Sequence, residues 1–186
     1  LSETPELVII KNRELASNWF VGSPLLNTGY YLLLNSDAAK AYYADSTGSF
    51  FEYGGWSNSV TEVYGGNSAS INSTSYSFSM LTFHSVTGYS KIGTYTGNGG
   101  TNTITTGFQP AFVLAKRVNT TGNWTIADDV RTSSGSSKFL YPNLTNAQSV
   151  NAVTTMTSTG FELNGAGGDY NASGSTYLYM AIKGAD

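Results

Sequence analysis

The sequence predicts an all-β protein built as two tandem β-sandwich domains, jelly-roll-like in outline, and three observations predict it. The chain repeats itself at a spacing of 105 positions. Its apolar residues alternate or cluster in short runs bounded by Gly, Asn, Ser and Pro, with little helical periodicity. Its polar surface is largely uncharged, with 11% Asp, Glu, Lys and Arg against the usual quarter or so of a soluble chain.

The repeat sets the domain organisation. Pro5-Glu6-Leu7-Val8-Ile9-Ile10-Lys11 falls without a gap on Pro110-Ala111-Phe112-Val113-Leu114-Ala115-Lys116, and Asn18-Trp19 falls on Asn123-Trp124. Further on, Asn72-Ser73-Thr74-Ser75-Tyr76-Ser77-Phe78 reappears as Asn171 to Tyr179, with two residues more. These are two copies of one unit of roughly 90 to 100 residues, each large enough to bury a core. The boundary falls near Gly88, giving domains 1–88 and 89–186. Tandem copies suit stalks, adhesins and binding arrays better than single-site enzymes.

Taken in order, Leu7 to Lys11 and Phe112 to Lys116 are continuous apolar runs that predict strands covered on both faces, each with a Pro at its entrance. The matched Trp19 and Trp124 are expected in the cores. Ala38 to Ala44, and later Asn146 to Val150, each suggest a single helical turn. Tyr76 to Phe83 alternates, placing Tyr76, Phe78 and Met80 on one side and small polar groups on the other. Ser90 to Tyr95 opens the second copy, and Gly97-Asn98-Gly99-Gly100 predicts a tight hairpin, because Asn-Gly accepts positive φ. The first copy lacks this opening hairpin, so its equivalent is expected upstream of Leu1 or in a shared linker strand. The first methionine is Met80, and the chain is expected to be part of a longer or processed polypeptide. Tyr177 to Ile182 closes the second copy as a denser counterpart of Tyr76 to Phe83.

Composition excludes several functions. With 12 acids against 9 bases and no basic cluster, the electrostatic footprint of nucleic-acid binding is missing. No apolar run approaches the roughly 18 residues of a spanning helix, so membrane insertion is not expected. Cysteine is absent, which removes disulfides, thiolate nucleophiles and Cys-rich zinc sites.

Several ordered motifs of the second copy point to a family. Gly88-Tyr89-Ser90-Lys91-Ile92-Gly93-Thr94-Tyr95-Thr96-Gly97-Asn98-Gly99, Thr106-Gly107-Phe108-Gln109-Pro110-Ala111-Phe112-Val113, Gly122-Asn123-Trp124, Gly160-Phe161 and Asn171 to Ala181 together resemble a repeat domain of tailed-phage structural proteins. That domain occurs in tail fibres and related virion proteins, often in tandem. The resemblance covers the second copy nearly end to end; the first matches at Pro5 to Lys11, Trp19 and Asn72 to Phe78. It implies a virion-surface location and other virion proteins as partners, and it carries over no catalytic residue.

Candidate chemistry is sparse. Asp128-Asp129 is the one adjacent acid pair, but adjacent strand residues point to opposite faces, and the first copy has Ser23-Pro24 there. Glu52, Glu62, Glu162 and Asp169 are scattered, and a glycosidase pair among them would need about 5 to 10 Å separation. His84, the single histidine, rules out a His-pair mechanism and sits at a strand end without a nucleophile elbow. Gly93 to Gly100 lacks the Gly-Lys-Ser/Thr ending of a phosphate loop. Five Asn-x-Ser/Thr sequons, at Asn72, Asn119, Asn123, Asn143 and Asn171, are about what this composition gives by chance. Catalytic residues, metal sites and cofactors are therefore expected to be none.

The aromatics remain. The segment between matched Trp and Asn is longer in the first copy and carries Tyr30, Tyr31, Tyr42, Tyr43, Phe50, Phe51, Tyr53, Trp56 and Tyr64. Flat rings with polar rims suit sugars, whose C–H faces stack while hydroxyls meet Asn, Asp and Ser. Trp56, beside Gly54-Gly55, leads the candidates, followed by Tyr53, Tyr42, Tyr43 and Tyr64; the alternative is that these rings fill cores or a face between subunits. The expectation is a non-enzymatic virion module, a tail-fibre or surface appendage, homo-oligomeric with a trimer favoured, binding a host-cell glycan. The alternatives are a capsid decoration or spacer without ligand, and a glycan depolymerase.

Overall fold

The computed structural model of the chain describes residues 3–45, 48–49, 68–133, 136–149 and 152–184. Over these residues the protein is nearly all β, its strands pair antiparallel throughout, and there is no α-helix. The chain divides into two compact units, Leu1–His84 and Ser85–Asp186.

In the first unit, β1 (Leu7–Asn12), β2 (Trp19–Gly22), β3 (Tyr30–Leu33), β4 (Ala41–Tyr42) and β7 (Phe78–Phe83) form one sheet in the order β4-β3-β2-β1-β7, and β5 (Ala44–Asp45) pairs with β6 (Gly48–Ser49). The unbroken run Leu7 to Ile10 is buried on both faces, which is why it reads as continuous rather than alternating. Val8, Ile10, Phe20 and Ile71 form a core that Tyr31, Leu33, Tyr43 and Phe78 flank.

The second unit has two sheets. One is β8 (Ser90–Thr96), β10 (Pro110–Arg117), β11 (Trp124–Asp128) and β16 (Thr176–Lys183), ordered β11-β10-β16-β8. The other is β9 (Asn102–Thr105), β12 (Thr132–Ser133), β13 (Ser136–Lys138), β14 (Ala152–Thr157) and β15 (Gly160–Leu163), ordered β12-β13-β14-β15-β9. Both contribute to one interior: Tyr95, Val113, Ala115, Tyr177 and Tyr179 from the first sheet meet Ile104, Phe161 and Leu163 from the second. Tyr95 stacks on Tyr177 at 4.9 Å and 7°, and Phe161 meets Tyr179 edge-on at 5.5 Å and 74°. Such pairs add about 0.5–1.5 kcal/mol each beyond their buried area. The two hydroxyls of the stacked pair are bonded: Tyr95 donates to the carbonyl of Tyr170 at 2.7 Å and Tyr177 to that of Gly168 at 2.8 Å.

The same hairpin register occurs in both units. Val8 faces Gly22 and Lys11 faces Trp19; Val113 faces Ala127 and Lys116 faces Trp124, each shifted by 105. Lys11 Nζ donates to the carbonyl of the next residue, Asn12, at 2.7 Å, and Lys116 Nζ does the same to Arg117 at 2.7 Å. On the other side, Ile10 faces Met80 and Asn12 faces Phe78, while Ala115 faces Tyr179 and Arg117 faces Tyr177. The closing strands therefore correspond at a constant shift of 99. The turn before them agrees: Ile71 and Asn72 donate to the carbonyl of Ser68 at 3.2 and 2.8 Å, as Tyr170 and Asn171 donate to that of Gly167 at 3.2 and 2.8 Å. This corrects the sequence alignment, which gave the second copy two extra residues and set Tyr76 on Tyr177; Phe78 is the residue that corresponds to Tyr177.

Three further expectations are revised. Gly97-Asn98-Gly99-Gly100 is not a hairpin, because β8 pairs with β16 and β9 with β15; it is a corner between sheets. Buried Asn171 holds that corner, accepting from Asn98 N–H at 3.1 Å and donating to the carbonyls of Gly100 and Gly165 at 2.8 and 2.9 Å. Gly99 has φ +74°, while Gly97 is needed for close approach, since a Cβ there would lie 2.3 Å from the carbonyl oxygen of Ala172. The helical turns expected at 38–44 and 146–150 do not form over the described residues: Ala41–Tyr42 is strand and 146–149 is irregular. A 3-10 turn forms instead at Pro24–Leu26, where Ser23 caps Leu25 N–H at 3.2 Å and Pro sits in the first turn. Finally, Trp124 is buried at 1% exposure but Trp19 is 40% exposed, so Trp19 is not the core anchor that its match to Trp124 suggested.

Candidate functional site

Of the five aromatic candidates, Tyr42 and Tyr43 are described; Tyr53, Trp56 and Tyr64 lie outside the described residues. Neighbours in an extended segment point to opposite faces, and the two tyrosines separate accordingly. Tyr43 turns inward, packs against the core of Val8, Ile10, Phe20 and Ile71, and its N–H donates to the carbonyl of Gly29 at 3.0 Å. Tyr42 turns outward and is 59% exposed.

Tyr42 stands directly across the ladder from Tyr30, their rings 5.3 Å apart and tilted by 56°. Lys40, two residues before Tyr42 and so on its face, places Nζ 4.5 Å from the centre of the Tyr30 ring. The same Nζ donates to the carbonyl of Leu26 at 3.0 Å. A cation over a tyrosine face contributes about 0.5–1 kcal/mol at an exposed site.

The local sequence builds this arrangement. Buried Ser23 donates to the carbonyl of Glu6 at 2.7 Å and caps the 3-10 turn, so the turn is tied to the strand region. Asn27 and Gly29, with φ +73° and +80°, then swing the chain into β3. The result is a ledge with one outward ring, one supporting ring and an anchored ammonium. Alternation along β2 and β3 puts Trp19 on the same sheet face as Tyr30 and Tyr42, since Val21 faces Leu32. Trp19 N–H donates to Asn35 Oδ1 at 3.0 Å, and Asn35 Nδ2 donates to Asn18 Oδ1 at 2.9 Å.

The acids do not converge. Asp128 is ion-paired to Arg131 and also accepts its N–H at 2.8 Å, while neighbouring Asp129 is exposed. Asp169 accepts twice from Asn123, at 2.7 and 3.1 Å, and Glu162 accepts from Asn164 at 3.0 Å. Glu52 and Glu62 lie outside the described residues. His84 is partly buried one residue after β7. Among the described residues, no group of three or more His, Asp or Glu could hold a metal ion. The sequons at Asn123, Asn143 and Asn171 carry side chains engaged in the protein's own hydrogen bonds.

Sequence reasoning singled out Tyr42 but missed Lys40 and treated Tyr30 as one ring among many. The spacing Lys40-x-Tyr42 was the available signal, because a residue two positions before a strand residue shares its face when the chain enters the strand extended.

A family model described as a domain of unknown function, DUF7483, matches residues 1–185. No curated protein and no solved structure matches the chain.

Proposed function

We propose that this chain, which belongs to the DUF7483 family, is a non-enzymatic structural module of a tailed-phage virion appendage that contacts host-surface glycans. One observation carries the glycan part: Tyr42, 59% exposed, is braced on a strand by Tyr30, whose ring carries the anchored Lys40 ammonium. A pyranose C–H face stacks on such a ring, and an ammonium beside it serves the sugar's hydroxyl or carboxylate oxygens. A ring fixed by its ladder loses little conformational freedom on binding, which favours weak but specific contact. Repeated modules on one particle then raise the avidity of modest single sites.

The virion part is supported by the resemblance of the second unit to phage structural repeats and by a surface rich in Ser, Thr and Asn and poor in charge. Two tandem repeats, displayed at the surface of the particle among other virion proteins, suit a stalk or fibre.

A glycan array probed with the chain tests the reading. Binding is expected, and Tyr42→Ala should abolish it while stability falls by no more than about 1.5 kcal/mol, the most its pairing with Tyr30 contributes. No binding would favour a spacer or decoration without ligand; turnover of a host polysaccharide, lost on changing one acid, would favour a depolymerase.

A further inference from the structure

We propose that Asn98 and Asn164 are latent deamidation sites, which the folded corner between β8 and β9 holds shut and whose conversion bars the corner from closing again. They are the two asparagines of the chain that precede glycine. Asn-Gly is the dipeptide most open to this reaction, because no side chain shields the glycine nitrogen. That nitrogen attacks Cγ of the asparagine and closes a ring, and the side-chain nitrogen leaves as ammonia, taking up the displaced proton. Water then opens the ring to aspartate, or to its isomer with a lengthened main chain. Asn98 is exposed and Asn164 partly so, so water, the other reactant, reaches both.

In the folded chain each attack is blocked at the nitrogen and at the amide. Gly99 N–H donates to the carbonyl of Asn171 at 2.9 Å, and Gly165 N–H to that of Gly100 at 3.2 Å. Asn98 Nδ2 donates to the carbonyl of Thr101 at 2.8 Å, and its Oδ1 accepts Gly100 N–H at 2.8 Å. Asn164 Oδ1 accepts from Thr101 Oγ1 at 2.9 Å, and its Nδ2 donates to Glu162 Oε1 at 3.0 Å. Buried Asn171 spans both sites, its amide donating to the carbonyls of Gly100 and Gly165. Gly99 and Gly165 have φ +74° and +92°, so a side chain that would shield the nitrogen is strained there and the corner keeps its reactive dipeptides.

Conversion changes what the corner is made of. An aspartate at position 164 sets a second carboxylate where the amide now meets Glu162, at 3.0 Å, and like charges that close resist ionising together. An aspartate at position 98 loses the donor to Thr101. The lengthened main chain finds no slack beside Gly97, packed so closely that a Cβ there would lie 2.3 Å from the carbonyl oxygen of Ala172.

Peptide mass spectrometry of the whole chain, aged in mildly alkaline buffer with and without denaturant, reads the conversion. The folded parent should convert at Asn98 and Asn164 at least tenfold more slowly than the denatured chain, in which these two should outpace the other asparagines. Asn171→Ala should speed both sites at least tenfold without denaturant, since conversion through the opened corner scales with its population. Should that variant fail to fold, Asn164→Asp carries the test: it should lower the melting temperature, and adding Glu162→Gln should restore most of the loss, which mispacking alone would not allow. Equal rates in folded and denatured chains, a folded Asn171→Ala chain that converts no faster than the parent, or an Asn164→Asp chain that melts like the parent or is not rescued would each overturn the proposal. The test is independent of glycan binding.

Discussion

The side-chain oxygen of Asn143 accepts the main-chain N–H of Trp124 at 2.9 Å, and the amide of Asn143 reaches back to Asn123 Oδ1 at 2.8 Å. Asn35 treats Trp19 and Asn18 in the same way in the first unit. An Asn-Trp pair at the entrance to a strand is thus clamped by a third residue, Asn, from elsewhere in the same unit.

The clamp should matter more where the tryptophan is buried. Asn143→Ala leaves a buried N–H without its acceptor and should destabilise the protein by about 1–3 kcal/mol. Asn35→Ala, beside the half-exposed Trp19, lets water take over and should change stability by less than about 1 kcal/mol. Chemical denaturation of both variants checks the ordering.

Asn171 and Asn72 occupy matched positions, the first buried and the second exposed. Asn171 is fully buried and joins five hydrogen bonds, two accepted from Asn98 and Asn102 and three donated to Asn98, Gly100 and Gly165. Asn171→Ala should cost about 3 kcal/mol or more, whereas exposed Asn72→Ala should stay within about 0.5 kcal/mol. Thermal unfolding of the pair reads the contrast.

The corner between β8 and β9 sets glycine against glycine. A Cβ on Gly97 meets a backbone oxygen at 2.3 Å, which no side-chain rotation relieves; at Gly100 the nearest atom is 3.8 Å away and φ is not positive. Gly97→Ala should lose about 2 kcal/mol or more, while Gly100→Ala should be tolerated. Amide exchange of Asn98 and Asn102 would locate the damage.

Acid should find Asp128. Its partial burial pushes the carboxyl up, but the hydrogen bonds and charge of Arg131 outweigh this and hold it below the ordinary carboxylate range. A carboxyl whose pKa is lowered by folding stabilises the protein above its unfolded value and loses that contribution as pH falls through the folded one. Asp128→Asn should therefore melt below the parent at neutral pH, and the gap should close in strong acid and narrow in high salt.

The all-β class and strands β1 and β10 were legible, because runs such as Leu7 to Ile10 have no other economical reading when Pro and Asn bound them. The pairing of β8 was not, since Asn98-Gly99 suits a hairpin and a corner equally. The choice is made by Asn171, more than 70 positions away in the chain. The slip of two residues in matching Tyr76 to Tyr177 has a similar cause: a shift by two preserves the face of every side chain, so alternation cannot detect it, and ring identity misled. For Trp19 the match correctly gave the register but not the exposure, which depends on what packs above the strand. Tyr42 could be named from sequence; its separation from Tyr43 follows from alternation only once the strand is placed.

Six residues link β1 to β2, and six link β10 to β11, with lysine facing tryptophan at equivalent rungs. The hairpin is consequently an exchangeable cassette: a genetic crossover between the two segments would stay in frame and preserve the rungs. A lineage could lengthen or shorten itself by whole repeats this way, adjusting reach without having to reinvent the part.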